Sequence, residues 1–267
     1  MRKLLAVAGA LLLVASPVAL AAGKMYAVDS SRAFYTVDIT TGAKTLLGTV
    51  SSNASTTGGL AWDTSTNTMY VTSTGNDSLY TLDLTTFAAT LVGPYGDSTV
   101  VMHGLEYDDT NNALWGASGG GGNFNFYSIN KATGAATVVG PTGATSFVNL
   151  GYDSTNNALY ASRSDTDSFY SVNRATGALT LIGVLGGTPV STNPNGLAYN
   201  RDNGLMYMVD NNTDTLYTIN LATGAATAVG SMGAGNLLGL AYVPEVPEPG
   251  SLAVLALGAA LLGVRRR

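Results

Sequence analysis

The phrase "GLAWD" at Gly59 returns as "GLEYD" at Gly104, "NLGYD" at Asn149, "GLAYN" at Gly196 and "GLAYV" at Gly239, at steps of 45, 45, 47 and 43 residues. A second phrase keeps the same rhythm, from "YTVDITTGAKTLLG" at Tyr35 to "YTINLATGAATAVG" at Tyr217. A fixed period of this length means that one supersecondary unit is stacked several times. Each unit reads as four short strands, A to D. Strand A is Gly-Leu-Ala-Tyr, and strand B is a Leu/Met-Tyr run such as "TMYVTS". Strand C alternates with period two, as Tyr217, Ile219 and Leu221 do, and strand D is the Thr-Leu-Val-Gly segment. Antiparallel four-stranded units of about 45 residues predict a β-propeller. A linear β-solenoid would use shorter units.

The two ends of the repeat settle the count. The first strand after the leader, "MYAVDS" from Met25, is a strand B with no A before it. "GLAYV" from Gly239 to Val243 is a strand A with nothing after it. Joined, they make a fifth blade, so the expectation is an all-β, five-bladed propeller of four antiparallel strands per blade. The C-terminal strand would close the ring by completing the first blade, removing two exposed sheet edges. Turn chemistry agrees. Asp or Asn opens each A–B turn ("DTSTNT", "DDTNNA", "DSTNNA", "NRDNGL"), where its side chain can cap the turn. Gly42, Gly134, Gly177 and Gly224 sit in the C–D hairpins where positive φ is expected. Phe87 takes that place in "TTFAAT", so this one turn is expected to differ.

The first residues have the parts of a secretory signal: Arg2 and Lys3, the apolar Leu4 to Ala15, and the small-residue site Ala19-Leu20-Ala21. The expected domains are therefore a signal peptide over 1–21, a propeller over 22–243 and a C-terminal segment over 244–267. An exported chain with no Cys holds together by core packing alone. Residues 22–249 carry 17 acidic and 7 basic side chains, a net of −10. Nucleic acid and anionic lipid, which need basic patches, are excluded as partners of this portion.

The C-terminus reads Pro247-Glu248-Pro249, then an uncharged run from Leu252 to Val264, then Arg265, Arg266 and Arg267. As a helix this run reaches about 20 Å, short of the ~30 Å hydrocarbon core, which suits transient membrane insertion with the arginines held in the cytoplasm. The combination resembles the PEP-CTERM sorting signal. That resemblance implies export through the general secretion machinery and processing near the Pro-Glu-Pro by an exosortase. It also implies a place in the envelope, at the cell surface or in the extracellular matrix of a Gram-negative bacterium. The repeat itself looks like that of uncharacterised bacterial extracellular propellers and, more loosely, of YVTN and NHL propellers. Such relatives are mostly binding or scaffold proteins, so the expected role is non-catalytic, with extracellular polysaccharide or a surface protein as ligand.

Catalytic residue types are sparse. The A strands carry Ala61, Glu106, Gly151, Ala198 and Ala241 at equivalent positions, one carboxylate among small residues, and His103 is the only histidine. Glycoside hydrolysis wants two carboxylates. An alternative reading makes Glu106 and His103 an acid–base couple of a polysaccharide hydrolase or lyase, with the virginiamycin B lyase type as its nearest analogy. Positions three apart on a strand face opposite ways, so His103 would have to be bent in by its loop. No metal or cofactor is expected: the oxygen-rich turns lack the alternating acids of a calcium loop. The D–A connections differ most between units. With the B–C turns they share one face, where binding residues are expected: Tyr95, Asp97, His103, Phe147, Arg163 and Asn195, with Glu106 in the channel.

Overall fold

Period-two alternation and pre-formed turns give twenty strands in the computed structural model, which describes residues 23–245. The expected signal peptide and the segment 246–267, with Pro247, Glu248, Pro249 and the three arginines, lie outside the described residues. The strands run β1 (Lys24–Asp29), β2 (Ala33–Val37), β3 (Lys44–Thr49), then β4 (Thr57–Asp63), β5 (Thr68–Ser73), β6 (Ser78–Leu82) and β7 (Ala89–Pro94). They continue with β8 (Met102–Asp108), β9 (Ala113–Ser118), β10 (Asn125–Ile129), β11 (Ala136–Pro141), β12 (Val148–Asp153), β13 (Ala158–Arg163), β14 (Ser168–Val172) and β15 (Leu179–Val184). The last are β16 (Pro194–Asn200), β17 (Leu205–Asp210), β18 (Thr215–Ile219), β19 (Ala226–Ser231) and β20 (Leu237–Val243). Four sheets take consecutive strands, β4–β7, β8–β11, β12–β15 and β16–β19, and the fifth has the order β20-β1-β2-β3. The chain is thus a five-bladed propeller, numbered here I for the composite blade and II to V in sequence order.

Blade I is the clasp. β20 runs antiparallel to β1, with Met25 opposite Tyr242 and Ala27 opposite Leu240. Leu237, Leu240 and Tyr242 are buried with Met25, Ala27 and Val37 of blade I and Ala198, Tyr207 and Val209 of blade V. Closure therefore also fills a seam between blades. Each of the five seams holds one such apolar cluster, made from facing sheets.

The turns follow their side chains. Asp63 Oδ1 accepts from Ser65 N and Oγ at 2.8 and 2.6 Å, and Asp153 Oδ1 accepts from Thr155 N at 2.8 Å. Asn67, Asn112 and Asn157 take the left-handed residue of these turns, with φ of 52, 51 and 52°. In the C–D turns the four glycines have φ between 74 and 79°.

Phe87 overturns the expectation of a different turn. Its φ is 59°, and its N donates to Asp83 O at 2.9 Å as Gly42 N does to Asp38 O at 2.8 Å. The turn is the same, and the strain is borne for packing. At the rim, the end of each outer strand meets the C–D turn of the next blade; a Cβ on Gly93 would stand 2.0 Å from Thr133 O. At the seam of blades I and II the Phe87 ring does the covering instead. It lies over Gly48, where a Cβ would come within 2.3 Å of it, and its centroid is 5.9 Å from that of Phe34. Left-handed backbone costs an L-residue roughly 1–2 kcal/mol. Both Phe87→Ala and Phe87→Gly lose the ring contact, but only glycine relieves the backbone. In urea denaturation Phe87→Gly is expected to be the more stable of the two by about 1 kcal/mol.

Candidate functional site

The inner strands β4, β8, β12, β16 and β20 pack side by side around the axis. Leu60, Leu105, Leu150, Leu197 and Leu240, all buried, surround a cavity of only about 10 Å³, whose wall also includes His103 and Asn149. That is room for a single water. The leucine level closes the middle of the axis and divides it into two ends.

The end under the D–A loops is rich in acceptors. β8 bulges, pairing Met102 with Ser118 and Gly104 with Ala117, so His103 is the extra residue. Its ring lies 4.0 Å from that of Phe147, its Nδ1 is buried without a partner, and burial pulls its pKa down to about 4. It is a neutral imidazole at ordinary pH. Asn149 Nδ2 donates to Pro194 O at 3.2 Å and Asn195 Nδ2 to Asn193 O at 3.0 Å, leaving both Oδ1 atoms without a partner.

The other expected loop-face residues do not gather there. Tyr95 is 1% exposed and packs among Val100, Met102 and Tyr127, so it is a core residue and not part of an accessible surface. It belongs to a column, Val50, Tyr95, Thr142, Leu185 and Met232, that is buried in every blade just past the outer strand. Asp97 is exposed but holds its own turn, accepting from Thr99 N and Oγ1 at 2.8 and 2.7 Å. Arg163 is spent on Asp165, with Nε and Nη2 at 2.9 and 2.7 Å, and lies over the Tyr170 ring.

The opposite end, under the A–B turns, is the polar well of the molecule. Trp62, Tyr107, Tyr152, Tyr199 and Tyr242, one from each blade, wall it together with Glu106 and Arg201. Glu106 caps inner-edge backbone groups that no strand pairs: Oε1 accepts from Tyr107 N at 2.9 Å and Oε2 from Tyr152 N, in blade IV, at 3.2 Å. It keeps part of its surface accessible because it faces the axis, yet it is crowded on every side. Burial raises its pKa to about 8, against the pull of those two N–H groups and of Arg201. Arg201 Nη1 meets Asp109 Oδ2 at 2.9 Å, a pair that joins the A–B turns of blades V and III across the end of the axis. Two donors of this wall, Trp62 Nε1 and Arg201 Nε, are buried without partners. Glu106 and His103, three residues apart on an extended strand and so about 10 Å apart, line different cavities with Leu105 between them.

Residues 245–267 match the PEP-CTERM protein-sorting motif. The chain carries an exosortase sorting signal. It is an exported protein of the cell envelope, and the motif makes exosortase processing part of its route. No curated protein matches it in sequence. Among solved structures it resembles one in a nidogen/laminin complex, with TM-score 0.57 and 14% identity over 81% of this chain and 83% of that one. A structural-genomics protein of unknown function from Bacteroides thetaiotaomicron gives 0.55 at 19% identity over 79% of this chain. The match spans only 59% of that protein's length. A catalytically inactive virginiamycin B lyase from Staphylococcus aureus, with quinupristin, gives 0.50 at 13% identity over 80% and 72%. At such identities the likeness is one of fold. No helix among the described residues is long and apolar enough to cross a membrane, and the apolar run expected to insert lies outside them. Among the described residues no three His, Cys, Asp or Glu side chains converge as a metal site.

Beside this exported propeller's axis, the A–B turn face carries ion pairs that the reading of single units passed over. Lys131, in the C–D turn of blade III, reaches Asp63 of blade II at 2.7 Å, and Arg174 of blade IV pairs with Asp108 of blade III. The signal was in the repeat columns: a base follows the C-strand Asn in blades III and IV, where Ile39, Leu84 and Leu221 stand in the others. Likewise Thr64, Asp109, Ser154 and Arg201 form one column, with its two charges of opposite sign two blades apart. Burial alone would raise the Asp63 pKa, but hydrogen bonds from Lys131, Ser65 and Thr66 outweigh it and hold it at about 2. A lowered carboxyl pKa contributes stability above the unfolded value near 3.8 that is lost as pH falls through 2. Lys131→Met is therefore expected to cost about 1–2 kcal/mol at pH 7 and to move acid unfolding to higher pH, read by circular dichroism against pH.

Proposed function

We propose that the protein is a non-catalytic binding or scaffold propeller, displayed at the surface or in the extracellular matrix of a Gram-negative bacterium after exosortase processing. Its ligand is extracellular polysaccharide or another surface protein. The observation that supports this reading is the division of the axis: Glu106 and His103 lie in separate cavities on either side of the leucine level. An acid–base couple needs both groups within hydrogen-bond reach of one substrate. The sorting motif supports delivery to the envelope, and the acidic surface suits a solvated matrix more than a charged polymer of the same sign.

Binding of the secreted protein to purified matrix polysaccharide, measured with and without substitutions at the two ends of the axis, tests the reading. Saturable binding without product is the expected result. Reducing ends or unsaturated sugars released by the native protein, and lost in Glu106→Ala and His103→Ala, would establish the rival hydrolase or lyase. Mass spectrometry of the secreted form is expected to show a new N-terminus at Ala22 and loss of the segment beyond the Pro-Glu-Pro.

A further inference from the structure

We propose that the turn face of blade II, beside the seam with blade I, binds a neutral saccharide in a groove walled by Trp62, Leu84 and the threonines of that blade. The proposal rests on the binding reading above and deepens it. It names a ligand class and moves the site from the axis to the seam that ring closure leaves without a bridging turn.

On the turn face, the A–B turn of one blade reaches the next. Asp63 of blade II meets Lys131 of blade III at 2.7 Å. Thr110 of blade III accepts from the Tyr152 hydroxyl of blade IV at 2.6 Å, and Thr155 of blade IV lies 2.9 Å from the Tyr199 hydroxyl of blade V. Asp202 of blade V accepts from the Tyr242 hydroxyl of blade I. Blade I cannot continue the series. Its strand A is β20 and its strand B is β1, at opposite ends of the propeller, so no turn joins them. Blade II meets that gap with Trp62 in the column of those tyrosines and Leu84 in the column of Lys131 and Arg174. Both pack with Val243, the last residue of β20, at the seam of blades I and II.

The groove beside them measures about 530 Å³, against about 10 and 20 Å³ for the two cavities on the axis. The axial spaces suit water, whereas sites for small ligands run roughly 300–1,000 Å³. Its wall has two chemistries. Trp62, Met69, Leu82 and Leu84 belong to the apolar cluster of the seam, and Asn67 and four threonines supply an amide and hydroxyls. Asp83 is the ionisable group of this wall. Its Oδ1 accepts from Thr86 N and Thr85 N, both at 2.8 Å, which holds its carboxyl below the usual range, and its Oδ2 bonds no described residue.

An indole among aliphatic side chains suits the C–H face of a pyranose, and hydroxyls, an amide and a carboxylate oxygen exchange hydrogen bonds with its hydroxyl groups. Among the described residues the wall holds no Lys or Arg, so an acidic sugar would meet Asp83 with nothing to neutralise it. A wholly apolar ligand would desolvate the threonines and the carboxylate without replacing their hydrogen bonds. A neutral sugar satisfies both halves of the wall.

The secreted protein is titrated with cellobiose, lactose, chitobiose and, as the anionic control, glucuronate, by calorimetry and tryptophan fluorescence. The chain has two tryptophans, so a change that survives Trp115→Phe and disappears in Trp62→Phe reports on this groove. At least one neutral disaccharide is expected to bind, with glucuronate weaker by about tenfold or more. Thr90→Arg, at an exposed position of the groove wall, is expected to weaken that sugar by about tenfold or more while leaving thermal unfolding unchanged. No saturable binding of the three disaccharides, equal affinity in Thr90→Arg, or glucuronate bound as tightly would overturn the proposal. A synthetic peptide of residues 244–250 that displaces the sugar and binds more tightly would give the groove to the chain's own C-terminal segment, and overturns it too. Should Thr90→Arg still bind matrix polysaccharide like the native protein, the broader binding reading survives and this site does not.

Discussion

A chain ending at Asn236 is expected not to fold, whereas one ending at Glu245 folds like the full protein. The difference is β20 alone, seven residues from Leu237 to Val243. Without it blade I has three strands, β1 loses its inner partner, and the inner strands β4 and β16 lose the neighbour that separates them. Leu237, Leu238, Leu240 and Tyr242 are all buried, and each such side chain contributes roughly 1.5–3 kcal/mol. Their sum is of the size of the whole net stability of a typical domain, about 5–15 kcal/mol. Circular dichroism and urea titration of the two truncated forms would measure it. A synthetic peptide of the β20 sequence, added in trans, is expected to restore a cooperative transition to the shorter chain. If that chain already unfolds cooperatively with near-native midpoint, ring closure is not what holds the propeller.

The clasp was legible in sequence because it is a matter of counting: an A strand without its B, C and D, and a B, C and D without their A. Columns that repeat were also readable, since an Asp at the same place in three turns has one physical explanation. What the residues did not disclose is where an irregular position spends its side chain. Tyr95 follows a strand and opens a variable loop, which reads as surface, yet the equivalent residues in all five units are buried plugs. Phe87 read as a break in the turn, whereas the backbone keeps the turn and the ring replaces the glycine contact at one seam. Arg201 and Asp109 lie in one repeat column, but their pairing depends on blades III and V facing each other over the axis. Non-adjacent units meet over the axis, so the column shows the two opposite charges but not that they touch.

Glu106 follows the same logic, and its substitution has the second large expected effect. Its repeat column is otherwise Ala and Gly, so a carboxyl at this inner position is a departure that burial makes costly. With a folded pKa near 8 against an unfolded value of 4.5, the folded state holds a proton that the unfolded chain releases. Below pH 4.5 both states are protonated and the carboxyl brings no penalty. As pH rises towards 8 the unfolded state ionises first and native stability falls, and above 8 the loss is constant. A full shift would correspond to several kcal/mol, but the side chain retains some contact with solvent, which leaves on the order of 2–3 kcal/mol. Glu106→Gln removes the titration and keeps an acceptor for Tyr107 N. It is therefore expected to match the native protein near pH 4 and to exceed it in stability by that amount at pH 8 to 9, measured by urea denaturation across the range. A difference that is flat with pH, or that favours the native protein at pH 8, would place the proton elsewhere.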